Sequence, residues 1–353
     1  MATALDGLTY AAGQAARVGW FFGNALVTAR LSRGTYPRPR ERCEVPETRA
    51  ILRDVAELAR RDWANIAAGV YRMPHDLVRP PGDLLAEARA YFRELPQVNR
   101  RRQRLGHDEV THTPPPGMAA LPEYFVQNFH FQSDGYLSEH SARLYDYQVE
   151  VLFRGAADMM RRQVLVPIHH YVQRRAASGW PAGGMRLLDL GTGTGQFLTF
   201  VKDNHPRVEV TALDLSVPYL TEARRRLARW SRVRFVQAAA EAIPAPDASM
   251  DLVTAVFLFH ELPRPVREQV TAEAARVLKP GGRFVLIDSI QRGDRPDWDG
   301  VLGYFPQAYH EPYYDDYTRH DLIAMGEAAG LCVGAVDLAF MSKVVVLDKP
   351  AAA

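Results

Sequence analysis

The sequence predicts an α/β chain in which a doubly wound, mostly parallel sheet follows a helical N-terminal region. Apolar runs recur at 185–190, 208–213, 233–237, 251–258, 283–289 and 332–338, with a last one at 341–347. Stretches with helical spacing, among them VPYLTEARRRLARW and REQVTAEAARVLK, fill most of the gaps between them. A glycine-rich turn, GTGTG, follows the first run directly. The final two runs lie too close for a crossover helix, so they must pair as an antiparallel hairpin.

At 353 residues the chain exceeds the size at which one core stops growing, so a principal domain of about 150–200 residues plus a substantial extra region is expected. Composition divides it into a helical region over 1–120, an aromatic-rich segment over 121–180 and the sheet domain over 181–350. Basic and acidic side chains nearly balance, 43 against 41, which gives no reason to expect a nucleic acid partner. Cys43 and Cys332 stand too far apart to suggest a redox pair or a metal cluster, and a reducing, cytoplasmic setting fits.

The N-terminal stretch 9–32 contains Trp20, Phe21, Phe22, Leu26, Val27 and Leu31, interrupted by Arg17 and Arg30 and weakened by Gly19 and Gly23. Neither a transmembrane span nor a signal peptide is expected from it. Two readings stay open: a helix packed on its own protein, or an amphipathic helix making peripheral contact with a membrane surface. TRAILRDVAELARRDWANIAAGVY and DLLAEARAYFREL predict two further helices, joined by the proline-rich linkers PRPRER, RPPG and THTPPPG. The basic run from Asn99 to Arg104 is expected to be a solvated helix end or loop.

In the second segment, Tyr124, Phe125, Phe129, Phe131, Tyr136, Tyr145 and Tyr147 fall within 24 residues. Helical spacing resumes at Ser138, so Tyr136 is expected at a turn. His130, Gln132 and Asp134, polar groups set among aromatics, suit a lid over a flat apolar ligand, with His130, Tyr136 and Tyr145 as candidate substrate contacts. A metal site is not expected from them, because no compact ligand pair is present.

In MRLLDLGTGTGQF the first strand ends at Asp189, and Gly191, Thr192, Gly193 and Gly195 lead into a helix at about Gln196. Such a turn places backbone N–H groups and bare Cα atoms at the carboxyl edge of the sheet, where ligands bind in folds of this kind. Dinucleotide sites carry the different spacing G-x-G-x-x-G. One βα unit later, VTALDLS ends the second strand with Asp214, a carboxylate able to accept bonds from both hydroxyls of a ribose.

DLGTGTG, ALDLS, QAAAEAIPAPDASMDLV and LKPGG, in that order, resemble the successive motifs of the class I S-adenosylmethionine-dependent methyltransferases. Among these the chain most resembles the ubiquinone/menaquinone biosynthesis C-methyltransferase group, over about residues 140 to 347. The resemblance implies a Rossmann-like methyltransferase sheet and S-adenosyl-L-methionine as cofactor. It implies that Gly191, Gly193 and Gly195 pass close under the methionine part, that Asp189 organises its ammonium group, and that Asp214 holds the ribose beside Leu215. Ala240 and Glu241 would border the adenine, and Val256 with Phe257 would line the floor. Relatives commonly carry Asp or Asn just before the Ala-Glu pair, where this chain has Ala239, so adenine would be held by Gln237, Glu241 or backbone.

A base is needed only for an acceptor with a proton to lose. Candidate catalytic residues are His260 and Glu261 after the fourth strand, and His310 and Tyr313 within YHEPYYDDY. The expected activity is methyl transfer to a small, hydrophobic or aromatic acceptor at carbon or oxygen. The alternative is a non-catalytic sensor that binds the same cofactor. A protein or RNA methyltransferase is disfavoured, because Val256-Phe257-Leu258-Phe259 stands where an amide- or base-recognising motif would follow the fourth strand.

Overall fold

The computed structural model describes residues 3–38, 46–104, 110, 121–180 and 182–351. Cys43, most of the PRPRER linker and the THTPPPG segment lie outside the described residues. By its internal contacts the chain forms two compact units: Met1–Met159 with Gly300–Glu311, and Met160–Asp299 with Pro312–Ala353. The compositional segmentation cuts at 120 and 180 instead, so the aromatic-rich stretch is shared between the two units.

The N-terminal unit is helical. It contains α1 (Ala4–Leu31), α2 (Thr48–Ala67), α3 (Pro81–Arg104) and α4 (Glu139–Leu152), and α5 (Ala157–Arg162) runs out of it. Thr3 and Asp6 cap α1 reciprocally. Pro81 opens α3, where its missing N–H costs nothing, so the RPPG segment starts a helix rather than only separating two. Phe21, Ala88, Tyr91, Tyr147 and Val151 form a shared core.

Arg17, which interrupts the apolar pattern of α1, points inward and donates to Glu150 (2.8 Å) and Asp158 (2.5 Å). The charge that interrupts the apolar pattern ties the helix to two buried carboxylates. The basic run at the end of α3 is likewise only partly solvated. Arg102 is buried, donating to Asn99 Oδ1 (2.8 Å) and to the Ala308 carbonyl (3.0 Å), and its guanidinium lies 4.1 Å from the Tyr36 ring centroid. Planar delocalised charge is weakly hydrated and stacks on aromatic rings, which makes this burial tolerable.

The second unit holds the sheet. After α6 (Leu165–Ala177) come β1 (Arg186–Leu190), α7 (Gln196–Asn204), β2 (Glu209–Asp214), α8 (Val217–Arg226), β3 (Val233–Gln237) and β4 (Met250–Val256). Then follow α9 (Arg264–Val277), β5 (Leu278–Ser289), α10 (Asp299–Tyr309), α11 (Tyr314–Tyr317), α12 (Leu322–Ala328), β6 (Cys332–Ala339) and β7 (Ser342–Asp348), with α10 running into the other unit.

The strand order is β3-β2-β1-β4-β5-β7-β6. β1 to β5 are parallel, while β7 runs antiparallel to both β5 and β6, which are its neighbours. The expected doubly wound sheet and C-terminal hairpin are therefore both present. β4 and the centre of β5 are buried on both faces, which accounts for their unbroken apolar runs. From β1 the chain winds to one side through β2 and β3, then returns to β4 on the other. The crevice at the carboxyl ends of β1 and β4 is the topological switch point of the sheet.

Candidate functional site

The turn after β1 is built around three glycines with left-handed backbones: Gly191 (φ 64°), Gly193 (φ 57°) and Gly195 (φ 76°). A Cβ on Gly191 would lie 2.9 Å from Leu258 Cδ1, and one on Gly195 would lie 3.0 Å from Leu227 Cδ1. A Cβ on Gly193 would meet nothing nearer than the Gly191 carbonyl at 4.0 Å. Two glycines let the protein pack on the turn, while the third leaves one side of it open.

Two carboxylates anchor this turn. Asp214 Oδ2 accepts the Gly193 N–H (2.7 Å), and its Oδ1 accepts the Ser216 N–H (2.8 Å). Asp189 is 2 % exposed and accepts the Thr192 hydroxyl (2.7 Å) and, from β4, the Thr254 hydroxyl (2.6 Å). Burial pushes the Asp189 carboxyl up to about 7 against the pull of the two threonine hydroxyls, and the neighbouring charge of Asp214 adds to the rise. Burial also lifts Asp214, to about 6, opposed by bonds from the backbone of Ser216, Gly193 and Leu215.

The rest of the rim comes from the ends of β2, β3 and β4. Leu215, Glu241, Val256 and Phe257 are partly exposed, and Ala240 is buried. Gln237 Nε2 donates to the Leu215 carbonyl (3.2 Å), so its amide braces the turn after β2. Phe257 holds φ at 56° while its N–H donates to the Ile287 carbonyl (2.9 Å). A left-handed aromatic residue is strained by roughly 1–3 kcal/mol, and such strain gathers at functional sites.

His260 follows β4 in a short 3-10 turn and is nearly buried. Its Nδ1 lies 2.6 Å from Asp288 Oδ1 at the end of β5. Asp288 is fully buried and also accepts the backbone N–H groups of Phe259 (2.7 Å), His260 (3.2 Å) and Ser289 (2.7 Å). Glu261 Oε1 stands 3.9 Å from His260 Nε2, beyond hydrogen-bonding distance. Tyr314 and Tyr317 set their rings edge-on to the imidazole, at 5.9 and 6.3 Å between centroids. Tyr313, the candidate from sequence, is half-buried beside them in the chain, and its neighbour Tyr314 is the one that meets His260.

The remaining candidates belong to the N-terminal unit. His310 and Tyr313, three residues apart, fall in different units. His130 Nε2 lies 3.3 Å from Glu311 Oε1, and His310 Nε2 lies 3.4 Å from Gln127 Oε1. NFHFQSDGY and the start of YHEPYY are thus brought together. Tyr136 stacks on Phe129 (5.4 Å) and meets Tyr145 edge-on (6.0 Å).

Sequence reasoning missed Asp288 and Thr254. A usable signal existed for the first: FVLIDS is an apolar run closed by an aspartate, the pattern that marked Asp189 and Asp214. Thr254 carries no such signal, because its meaning lies in the neighbouring strand.

A family model described as a methyltransferase domain matches residues 187–282. The demethylmenaquinone methyltransferase of Thermus thermophilus is 42 % identical over 104 residues, 29 % of this chain and 46 % of that protein. The ubiquinone/menaquinone biosynthesis C-methyltransferase UbiE of Desulfotalea psychrophila is 30 % identical over 204 residues, 58 % of this chain and 74 % of that protein. The chain spans about half the length of the first curated relatives it matches. A solved methyltransferase from Aquifex aeolicus is 23 % identical, covering 50 % of this chain and 88 % of its own, with a TM-score of 0.37.

Proposed function

The chain belongs to the class I S-adenosylmethionine-dependent methyltransferases, and we propose that it transfers a methyl group to a small, hydrophobic or aromatic acceptor. The observation that carries this reading is the bond between Gly193 N–H and Asp214, which joins an open glycine turn to a buried carboxylate at the switch point of the sheet. The cofactor, S-adenosyl-L-methionine, supplies a methyl group on a sulfonium and leaves as a neutral thioether.

The residues fit that ligand. The open side of Gly193 admits close approach, and Asp214 keeps lone pairs for ribose hydroxyls. Leu215, Ala240 and Glu241 border the adenine, while Val256 and Phe257 form the floor. The Gln237 amide is engaged with Leu215, so the adenine edge falls to Glu241 and the backbone around Ala239. Asp189 acts through Thr192 and the turn, because both its oxygens are already engaged by threonine hydroxyls.

Calorimetric titration with S-adenosylmethionine, S-adenosylhomocysteine and NAD tests the reading. The sulfur ligands should bind and NAD should not. Asp214→Ala should weaken binding by about 10- to 100-fold, the worth of hydrogen bonds to a charged group. Retained affinity in that variant would sink the ribose assignment.

We further infer that α1 makes peripheral contact with an anionic membrane surface. Leu5, Leu8, Leu26, Val27 and Leu31 are exposed on it, and the exposed Arg30 and Arg33 at its end suit acidic headgroups. No helix among the described residues is long and apolar enough to cross a membrane.

A further inference from the structure

We propose that Asp288 is the positioning residue of a His260 general base, and that the methyl acceptor therefore presents a weakly acidic O–H, as in a phenol, enol or hydroquinone. This rests on the methyl-transfer reading above and narrows its acceptor.

Asp288 is oriented before it meets the imidazole. Three backbone N–H groups, of Phe259, His260 and Ser289, converge on its two oxygens, which fixes the plane of the carboxyl group. With both Asp288 oxygens already accepting backbone N–H groups, His260 Nδ1 at 2.6 Å is placed as the hydrogen-bond donor. A neutral imidazole that donates from Nδ1 carries its lone pair on Nε2, the arrangement of a proton acceptor.

Ring rotation is restricted as well. Tyr314 and Tyr317 flank the imidazole edge-on, and each is anchored on Ser289, through its Oγ (2.6 Å) and its carbonyl (2.6 Å) respectively. One short segment, Asp288-Ser289, thus sets both the tautomer and the orientation of His260. A histidine needed only for packing would require neither.

The reaction balances with these groups. Nε2 takes the acceptor's O–H proton, and the electron pair released on oxygen, or on the conjugated ring carbon, forms the bond to the methyl carbon. The methyl–sulfur bond breaks with its pair on sulfur, and the imidazolium later returns the proton to water. For attack through carbon, the hydrogen on that carbon is lost to water as the ring regains aromaticity and the ring oxygen takes a proton back, so that one proton leaves overall. A carboxylic acid acceptor is already ionised at neutral pH and would give such a base nothing to do.

The test begins with 15N-histidine-labelled protein saturated with S-adenosylhomocysteine. His260 should show a protonated Nδ1 and an unprotonated Nε2, and Asp288→Asn should abolish that single-tautomer signature while cofactor affinity stays within about twofold. With 1,4-dihydroxynaphthalene as acceptor, D288N and His260→Ala should each lower turnover by about 10²–10⁴-fold, the usual contribution of a positioned base. A proton on Nε2 in the unaltered protein, or an unchanged signature in D288N, overturns the inference. Transfer to lauric acid that survives H260A would overturn it too. Failure of S-adenosylhomocysteine to bind while the tautomer is as described would instead overturn the cofactor reading and leave the His260–Asp288 pair standing.

Discussion

Asp189 and Asp214 show what it costs to bury carboxylates beside the glycine turn. Both are buried, and both are lifted, to about 7 and about 6, because burial disfavours their charge. Between about pH 4 and 7 the folded chain holds protons on them that the unfolded chain has released, so the stability of the unliganded protein falls as pH rises through that window. Each group can contribute at most about 1.4 kcal/mol per pH unit. Thermal unfolding of the unliganded protein should therefore move to lower temperature between pH 5 and 8. Asp189→Asn should flatten that trend, since an amide does not titrate. A slope unchanged by the substitution would show that Asp189 is ionised throughout.

Among the elements, α1 has two faces of different character. Its inner face carries Tyr10, Phe21 and the inward-pointing Arg17, and Tyr10 donates to Asp62 (2.6 Å) on α2. Its outer face presents Leu5 and Leu8 near one end and Leu26, Val27 and Leu31 near the other, with Arg30 and Arg33 beside the second group. On phosphatidylglycerol vesicles the protein should co-sediment, with little binding to phosphatidylcholine and weaker binding at high salt. Leu26→Asp combined with Leu31→Asp should release it without unfolding, because both side chains are already exposed. Equal sedimentation of the variant would rule out this face as the contact.

For the whole molecule, the division into two units makes a spatial prediction. The candidate cofactor residues all belong to Met160–Asp299 with Pro312–Ala353. Saturation with S-adenosylhomocysteine should therefore slow amide exchange chiefly at 189–196, 213–217, 239–243 and 256–261. At a ligand concentration of about 100 Kd it should stabilise that unit by about 2.7 kcal/mol. Protection confined to the N-terminal unit would place the ligand elsewhere. Gly300–Glu311 groups with the N-terminal unit although the sheet unit resumes at Pro312, so a site read from the single segment YHEPYY is divided by the tertiary structure.

The strands, their parallel pairing and the carboxylates at the ends of β1 and β2 were legible because they depend on local pattern. Apolar runs of strand length mark buried strands, and an aspartate closing such a run marks the carboxyl edge. Left-handed glycines at 191, 193 and 195 follow from the same local logic, since only glycine adopts that backbone without cost. What the sequence could not determine is set by residues far apart in the chain. His260 and Asp288 are 28 positions apart, and Thr254 reaches Asp189 across 65. Arg102 meets Ala308 across 206. In each case a side chain's surroundings are decided by the partner that the fold supplies, and periodicity along one segment carries no record of that partner. The sequence by itself determined the sheet and its glycine turn; the tertiary structure alone decided which histidine stands against a carboxylate and which arginines leave the solvent.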